Sequence, residues 1–318
     1  MTRPRTKIIV LGSTNTDLVL RTEHLPKPGQ TVLGKSLTEF GGGKGANQAV
    51  AAQRAGGQVI FIGAIGDDYF GLSRRAELEF ERIDLTYLRT VPKVSSGVAL
   101  ILVDEHGENM IGVAPGANHQ LMPTDIERLP KDLFQPGDFF VAPWETPTET
   151  IRAALQLAKN NGATTIFNPA PVGAIDPHDD WLGLVDVLIL NEHELGLLNG
   201  QSFVEASQSL LMITDLHDRG VLNIVVTLGD QGHLLSQDRQ MEMFPPFPAE
   251  AVDTVGAGDT FVGALACRLA ERATLRDAAR WASAAAALAV TRPGAQAAIP
   301  TRDEVDLFLA RVGTMTGR

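Results

Sequence analysis

Asp253-Thr254-Val255-Gly256-Ala257-Gly258-Asp259-Thr260-Phe261-Val262-Gly263-Ala264 is the stretch on which the reading of the whole chain turns. Three small residues, Gly256, Ala257 and Gly258, precede a helical pattern in which Phe261, Leu265 and Leu269 recur at four-residue spacing. A small-residue turn running into a helix leaves backbone N–H groups without intrahelical acceptors, all pointing the same way. With the positive end of the helix dipole they form a site for an anion, most naturally a phosphate. Asp259 stands at the mouth of that site. A carboxylate beside bound phosphate is repelled, so its placement suggests a base that takes a proton from an attacking hydroxyl. The plainer alternative is a well-capped helix, since Asp is a favoured cap and glycine turns before helices are common.

A second glycine turn lies upstream. Gly41-Gly42-Gly43-Lys44-Gly45-Ala46-Asn47-Gln48 opens a helix that continues through Ala49-Val50-Ala51-Ala52, and Lys44 and Asn47 share one face near its start. It is not a P-loop, because Gly45 follows Lys44 and the motif's leading glycine is absent. Gly41, Gly43 and Ala46 loosely match a dinucleotide fingerprint, but Leu37-Thr38-Glu39-Phe40 makes a poor central strand. A nicotinamide oxidoreductase therefore has little support.

Composition sets the outer bounds. The 318 residues suffice for one large α/β domain, with 44% apolar and 20% charged residues as in ordinary globular proteins. Lys and Arg number 27 against 38 Asp and Glu, a net charge of −11, which disfavours nonspecific binding to nucleic acid or an anionic membrane. Cys267 is the single cysteine, so neither an intrachain disulfide nor a cysteine-based zinc site can form. The apolar run Ile8 to Leu11 is too short for a signal peptide or a membrane span, and a cytoplasmic location is expected.

In chain order, Lys7-Ile8-Ile9-Val10-Leu11 reads as a buried strand ended by Gly12-Ser13. Asn15 and Asp17 follow, two apart, so in an extended segment they project to one side, either as a polar turn or as acceptors for sugar hydroxyls. A Pro/Gly-punctuated piece around residues 25–34 and a hairpin signal flanking 104–108 look like a small flap outside the main alternation. Strands are also expected at 58–62, near 138–142, 164–167, 185–190 and 224–227. Helices are expected near 70–82, 148–161, 192–198, 204–219, 259–271, 275–291 and 302–312. This predicts an α/β three-layer sandwich, a mostly parallel sheet covered by helices on both faces, with a small β-sheet lid. Residues 1–318 are read as one domain, with lid segments at about 14–41 and 96–114. Ligands in such sheets gather beyond the C-terminal strand ends, where Asn15, Asp17, Glu145, Asn168, Asn191, Glu194 and Gly229 fall.

At this point the chain resembles a known family. Gly42-Gly43-Lys44-Gly45-Ala46-Asn47-Gln48-Ala49 and the Asp253 to Phe261 stretch look like the two signatures of the ribokinase/phosphofructokinase-B type carbohydrate kinases. The likeness runs from Gly12 to about Pro300 and is strongest to the ribose-phosphorylating members, through Gly107-Glu108-Asn109, Gly116-Ala117-Asn118, Asn168-Pro169-Ala170-Pro171 and Val290 to Gln296. It implies ATP-dependent phosphorylation of a primary sugar hydroxyl, O5 of D-ribose in those members. Asn15, Asp17, Gly43, Lys44, Asn47 and Glu145 would hold the sugar, with Ala99 and Ile111 as its apolar wall. Asp259 would be the base, and the amides of Gly256, Ala257 and Gly258 the anion hole. Asn191 and Glu194 would order Mg²⁺-bound water and the phosphates. Thr227, Gly229 and Gly232 would lie along the nucleotide, with Ser283 near its adenine. A monovalent cation, usually K⁺, would sit at Asp253, Val255, Ala289, Arg292 and Gly294. Where many members carry a Ser hydroxyl this chain has Ala298, and Trp144 places a bulky ring beside Glu145. The resemblance also implies a homodimer formed through the lid.

Other features carry less. Asn191-Glu192-His193-Glu194 lacks the second histidine of a zinc motif, His178-Asp179-Asp180 reads as a solvated loop, and Ala284 to Ala287 reads as close helix packing. Alternatives within the class are a kinase for another furanose, such as fructose, or for a nucleoside. A different class is a catalytically silent sugar- or nucleotide-binding regulator, against which the intact Asp259, Asn191 and Glu194 speak.

Overall fold

A computed structural model describes residues 6–172, 180–201 and 206–315. The first apolar run forms β1 (Lys7–Leu11), and Asn15 opens β2 (Asn15–Thr22). β3 (Gly34–Gly42) returns the chain to the glycine turn that starts α1 (Lys44–Arg54). There follow β4 (Gln58–Gly66), α2 (Tyr69–Phe80), β5 (Asp84–Val91), β6 (Gly97–Val103) and β7 (Asn109–Ala114). Next come α3 (Pro123–Glu127), β8 (Phe139–Pro143), α4 (Thr148–Asn160), β9 (Thr164–Asn168) and β10 (Val187–Asn191). After α5 (Glu192–Leu198), α6 (Ala206–Asp218) and β11 (Asn223–Thr227), the hairpin β12 (His233–Gln237) and β13 (Gln240–Phe244) leads to α7 (Ala257–Ala270), α8 (Leu275–Ala289) and α9 (Arg302–Met315).

One sheet has nine strands in the order β13-β12-β11-β10-β9-β8-β1-β4-β5, parallel from β11 to β5 and antiparallel at the β12–β13 edge. Alternation along each strand divides the apolar side chains between two cores. Ile8, Val10, Phe61, Val141 and Val225 face α1, α7 and α8, whereas Ile9, Leu11, Ile62, Phe140 and Leu190 face α4, α5 and α6. That is the expected three-layer sandwich. A separate four-stranded sheet, β3-β2-β6-β7, carries Asp17 paired with both Phe40 and Ala99. Ile111 shares the face of Asp17 and Ala99, two residues along β7 from Val113, the partner of Ala99.

Three strands escaped the sequence reading. β5 alternates polar and apolar residues at the sheet edge, and β12 and β13 mix His, Gln, Ser and Glu with apolar residues. His178 and Asp179, read as a solvated loop, lie outside the described residues.

The contact that places the site is between α1 and α7. A Cβ on Gly263 would stand 2.3 Å from the Gln48 carbonyl oxygen and 2.6 Å from the Ala51 Cβ, so only glycine permits this approach. Gly263→Ala must push the helices apart, and overpacking of this kind costs about 1–3 kcal/mol. The expected result is a lowered Tm, checked by thermal unfolding. An unchanged Tm would show that the helices can separate freely.

Candidate active site

Parallel pairing brings the C-terminal ends of β1, β8, β9, β10 and β11 to one edge of the large sheet. Gly256 enters α7 in the left-handed conformation, φ 77°, and Asp259 falls in the first helical turn, buried. Its side chain does not fold back to cap its own helix. Asn47 Nδ2 donates to Asp259 Oδ2 at 2.9 Å, and Gln48 Nε2 donates to Asp259 Oδ1 at 3.0 Å. Of the three turn residues, the Ala257 amide leans on the Thr254 carbonyl at 3.3 Å. A cavity of about 300 Å³ is lined by Asp259, Gly256, Gly258, Lys44, Asn168, Asn191 and Glu194.

Lys44 has two roles by position. Its backbone N–H donates to Glu145 Oε2 at 2.9 Å, while its side chain lines the cavity with Asp259. Neighbouring Asp259, Glu145 and Glu194 raise the Lys44 pKa against the opposing effect of burial, so the ammonium charge is held firmly. Glu145 also accepts from Ser13 Oγ, and thereby ties the end of β1 to the start of α1. Asn15 Oδ1 accepts from Asn118 Nδ2 at 2.8 Å, and Asn118 in turn holds the Thr14 backbone. Asp17 nests against Gly42, where any Cβ would stand 2.1 Å from its Oδ2. Burial, with Glu145 and Asp259 nearby, raises the Asp17 pKa to about 6, against the pull of Arg74 and Lys44. Gly43 caps α1 at φ 85°. Ala99 is buried, whereas Ile111 is exposed.

Trp144 is a correction. Its ring turns away from the site into the core, edge-on to Trp181 at 5.5 Å and 5.7 Å from Phe167, with Nε1 donating to Thr148. Trp144 lies just beyond β8 and joins the core that holds Phe140 and Ala142, whereas the next residue, Glu145, turns to Ser13 and the Lys44 amide.

Asn191 and Glu194 form a reciprocal cap on α5, Asn191 Oδ1 accepting from the Glu194 amide and Glu194 Oε2 from the Asn191 amide. Burial raises the Glu194 pKa, while hydrogen bonding and Lys44 oppose the shift. Beyond them lies a second cavity of about 870 Å³, which shares Asn191, Thr227, Thr254 and Gly258 with the first. Thr227, Gly229, Gly232 and Ser283 all line it, as do Ala286 and Ala287. The alanine run thus packs helices with Ala284 and Ala285 and forms a cavity wall with the next two.

The loop holding Asp253 and Val255 is bonded to the segment that runs from Ala289, the last residue of α8, through Arg292 and Gly294. The Val252 and Asp253 amides donate to the Val290 carbonyl, and the Gly294 amide donates to Asp253 Oδ2 at 2.9 Å. Asp253 Oδ1 also accepts from the Val255 amide at 3.0 Å, so the Asp253 carboxylate already bridges the two segments. Among the described residues there is no cluster of three His, Cys, Asp or Glu able to hold a metal. Ala298 is buried and brings no hydroxyl.

Sequence reasoning placed Asn168 at the ligand edge of the sheet but assigned no role to Gln48 or Asn118, although both fall within the glycine-containing stretches it quoted.

The fold and this pair of joined cavities define a small-molecule kinase. A model of the pfkB family carbohydrate kinases matches residues 5–302, and the chain belongs to that family. Its relatives include a ribokinase from Haemophilus influenzae, 37% identical over 96% of this chain and 99% of the relative. A deoxyribokinase from Salmonella typhi is 35% identical, covering 95% and 98%. The structure of a ribokinase from Thermotoga maritima superposes with a TM-score of 0.86 at 35% identity, covering 96% and 100%. The chain is an ATP-dependent sugar kinase. No described helix is long and apolar enough to cross a membrane.

His233, which opens β12 at the wall of the larger cavity, is buried with both ring nitrogens lacking partners. It stacks on Phe244 at 4.8 Å, and burial lowers its pKa from 6.5 to about 4. The fold therefore holds the neutral ring. The unfolded chain takes up a proton below pH 6.5, so stability is full above that value and falls as the pH drops toward 4. The loss amounts to about 3 kcal/mol. His233→Leu is expected to flatten this acid limb when Tm is followed from pH 7 to 4. Parallel Tm curves for variant and wild type would refute the assignment.

Proposed function

We propose that this protein phosphorylates the primary 5-hydroxyl of D-ribose, giving ribose 5-phosphate and ADP. The observation that carries the reading is the 300 Å³ cavity in which the Asp259 carboxylate, Lys44 and the Gly256–Gly258 turn meet, joined to a cavity large enough for a nucleotide. Asn15, Asp17, Gly43, Asn47 and Glu145 hold the sugar, with Ala99 and Ile111 as its apolar wall. Asp259 takes the proton from the attacking hydroxyl as the new O–P bond forms and the bond to the ADP oxygen breaks. Amides of Gly256, Ala257 and Gly258 receive the charge on the transferred group, and Lys44 offsets it from the other side. Thr227, Gly229, Gly232 and Ser283 line the nucleotide, and Asn191 and Glu194 face its phosphates. Mg²⁺ would ride on those phosphates with its waters held by Asn191 and Glu194, supplying charge neutralisation. K⁺ would take oxygens of Asp253, Val255, Ala289, Arg292 and Gly294, steadying the turn without a hydroxyl from residue 298. A cytoplasmic location fits a substrate consumed with ATP.

ADP release measured against ribose, 2-deoxyribose, fructose and nucleosides, with and without K⁺, tests this reading. Stimulation by ribose supports it, and stimulation by 2-deoxyribose alone favours the second reading that the Salmonella relative suggests. A response only to fructose or a nucleoside, or to none, overturns the ribose assignment. Asp259→Asn is expected to lower kcat by about 10²–10⁴-fold while sugar affinity by calorimetry is kept.

The small sheet acts as a lid over the sugar and as the dimer contact. Leu37, Leu100 and Met110 share its face opposite Asp17 and are each at least half exposed. A second copy covering that face would bury them. Leu37→Asp should convert a dimer to a monomer in analytical ultracentrifugation. A monomeric wild type would remove the proposal.

A further inference from the structure

Asn47 and Gln48 sit near the N-terminus of α1, and both direct their amide nitrogens at Asp259. Gln48 is fully buried and touches neither cavity. Both hydrogens of its Nε2 are used, one on Asp259 Oδ1 and one on Asn168 Oδ1, each at 3.0 Å. Asn168 Nδ2 donates to the Ile189 carbonyl of β10 at 2.9 Å. That backbone carbonyl fixes the sense of the whole chain of bonds. It accepts only, so Asn168 must turn its nitrogen there and its oxygen to Gln48, and Gln48 must then present nitrogen to Asp259. Flipping either amide would set oxygen against oxygen.

The arrangement has a cost. Gln48 Oε1 and Asn47 Oδ1 are buried with no hydrogen-bond partner. A buried acceptor left unmade is destabilising, and a core built for stability alone would place an apolar side chain at residue 48. Such departures from local rules concentrate where function demands them.

We infer that Gln48, anchored through Asn168 to β10, is a positioning residue that holds the Asp259 carboxylate turned toward the attacking hydroxyl and away from its own helix N-terminus. The inference rests on Asp259 being the base. Without the Gln48 donor, Oδ1 is free to rotate toward the amides of its own first turn, where a carboxylate is favoured. The base is then misplaced while the sugar ligands remain.

The test is steady-state kinetics of the full-length enzyme with ribose and ATP, as a function of pH, for Gln48→Met. Lys44, Asp17 and Glu194, the charged groups whose titration is coupled to Asp259, are unchanged in it, as is Glu145 beside them. The kcat is expected to fall about 10–100-fold, as for an ångström-scale displacement of a reacting group, with the ribose KM within about threefold of wild type. Loss of a donor to the charged form should also move the acid limb of kcat upward by about half a pH unit or more. A kcat within threefold of wild type, or a loss confined to KM with an unmoved pH profile, overturns the inference. If Gln48→Met fails to fold, the near-isosteric Gln48→Glu decides by the same criteria, since two facing carboxyls must share a proton and raise the limb further. Asp259→Asn run alongside separates the two readings. If it keeps its rate the base assignment fails, whereas an inactive Asp259→Asn beside a fully active Gln48→Met removes only the role of Gln48.

Discussion

Two helices that are distant in sequence, α1 and α7, meet at Gly263 with no room for a side chain between them, and the site is built on that contact. Each begins at a glycine turn, so each brings amides that lack intrahelical acceptors, and polar residues near its N-terminus, to the same sheet edge. Because the helices touch, Asn47 and Gln48 of one reach Asp259 of the other. A wider spacing would leave the acid to cap its own helix. The close approach therefore decides which of two ordinary fates befalls an Asp in a first turn.

Around that contact the charges are arranged by sign. Asp17, Glu145, Glu194 and Asp259 all influence one ammonium, Lys44, whose raised pKa reflects their company. Burial, reinforced by Glu145 and Asp259, pushes the Asp17 pKa to about 6. Neutral amides, and not further cations, hold the Asp259 oxygens. They orient the carboxylate without forming an ion pair with it.

Several side chains serve both as structure and as site. Asn191 and Glu194 cap α5 and line the smaller cavity, Asn191 lining the larger one as well, and Glu145 fastens β1 to α1 through Ser13 and the Lys44 amide. The small sheet also has two faces of different character: one carries Asp17 and Ala99, and the other leaves Leu37, Leu100 and Met110 exposed.

The amino-acid sequence alone determined the α/β sandwich, because apolar β-branched runs alternating with helical periods leave few other layerings. It also marked both glycine turns and the family to which the chain belongs. β5 and β13 were hidden because they are the two edges of the large sheet, where a strand is partly solvated and lacks the continuous apolar run of a central one, and β12 because His233, Ser236 and Gln237 interrupt its apolar residues. Trp144 was misplaced because, just past the end of β8, it turns into the core while the adjacent Glu145 turns to Ser13 and Lys44, so adjacency in sequence says nothing of adjacency in space. The partners of Asp259 lie some 210 residues away. Only the packed helices could reveal them, because a hydrogen bond depends on distances of about 3 Å that no local spacing encodes.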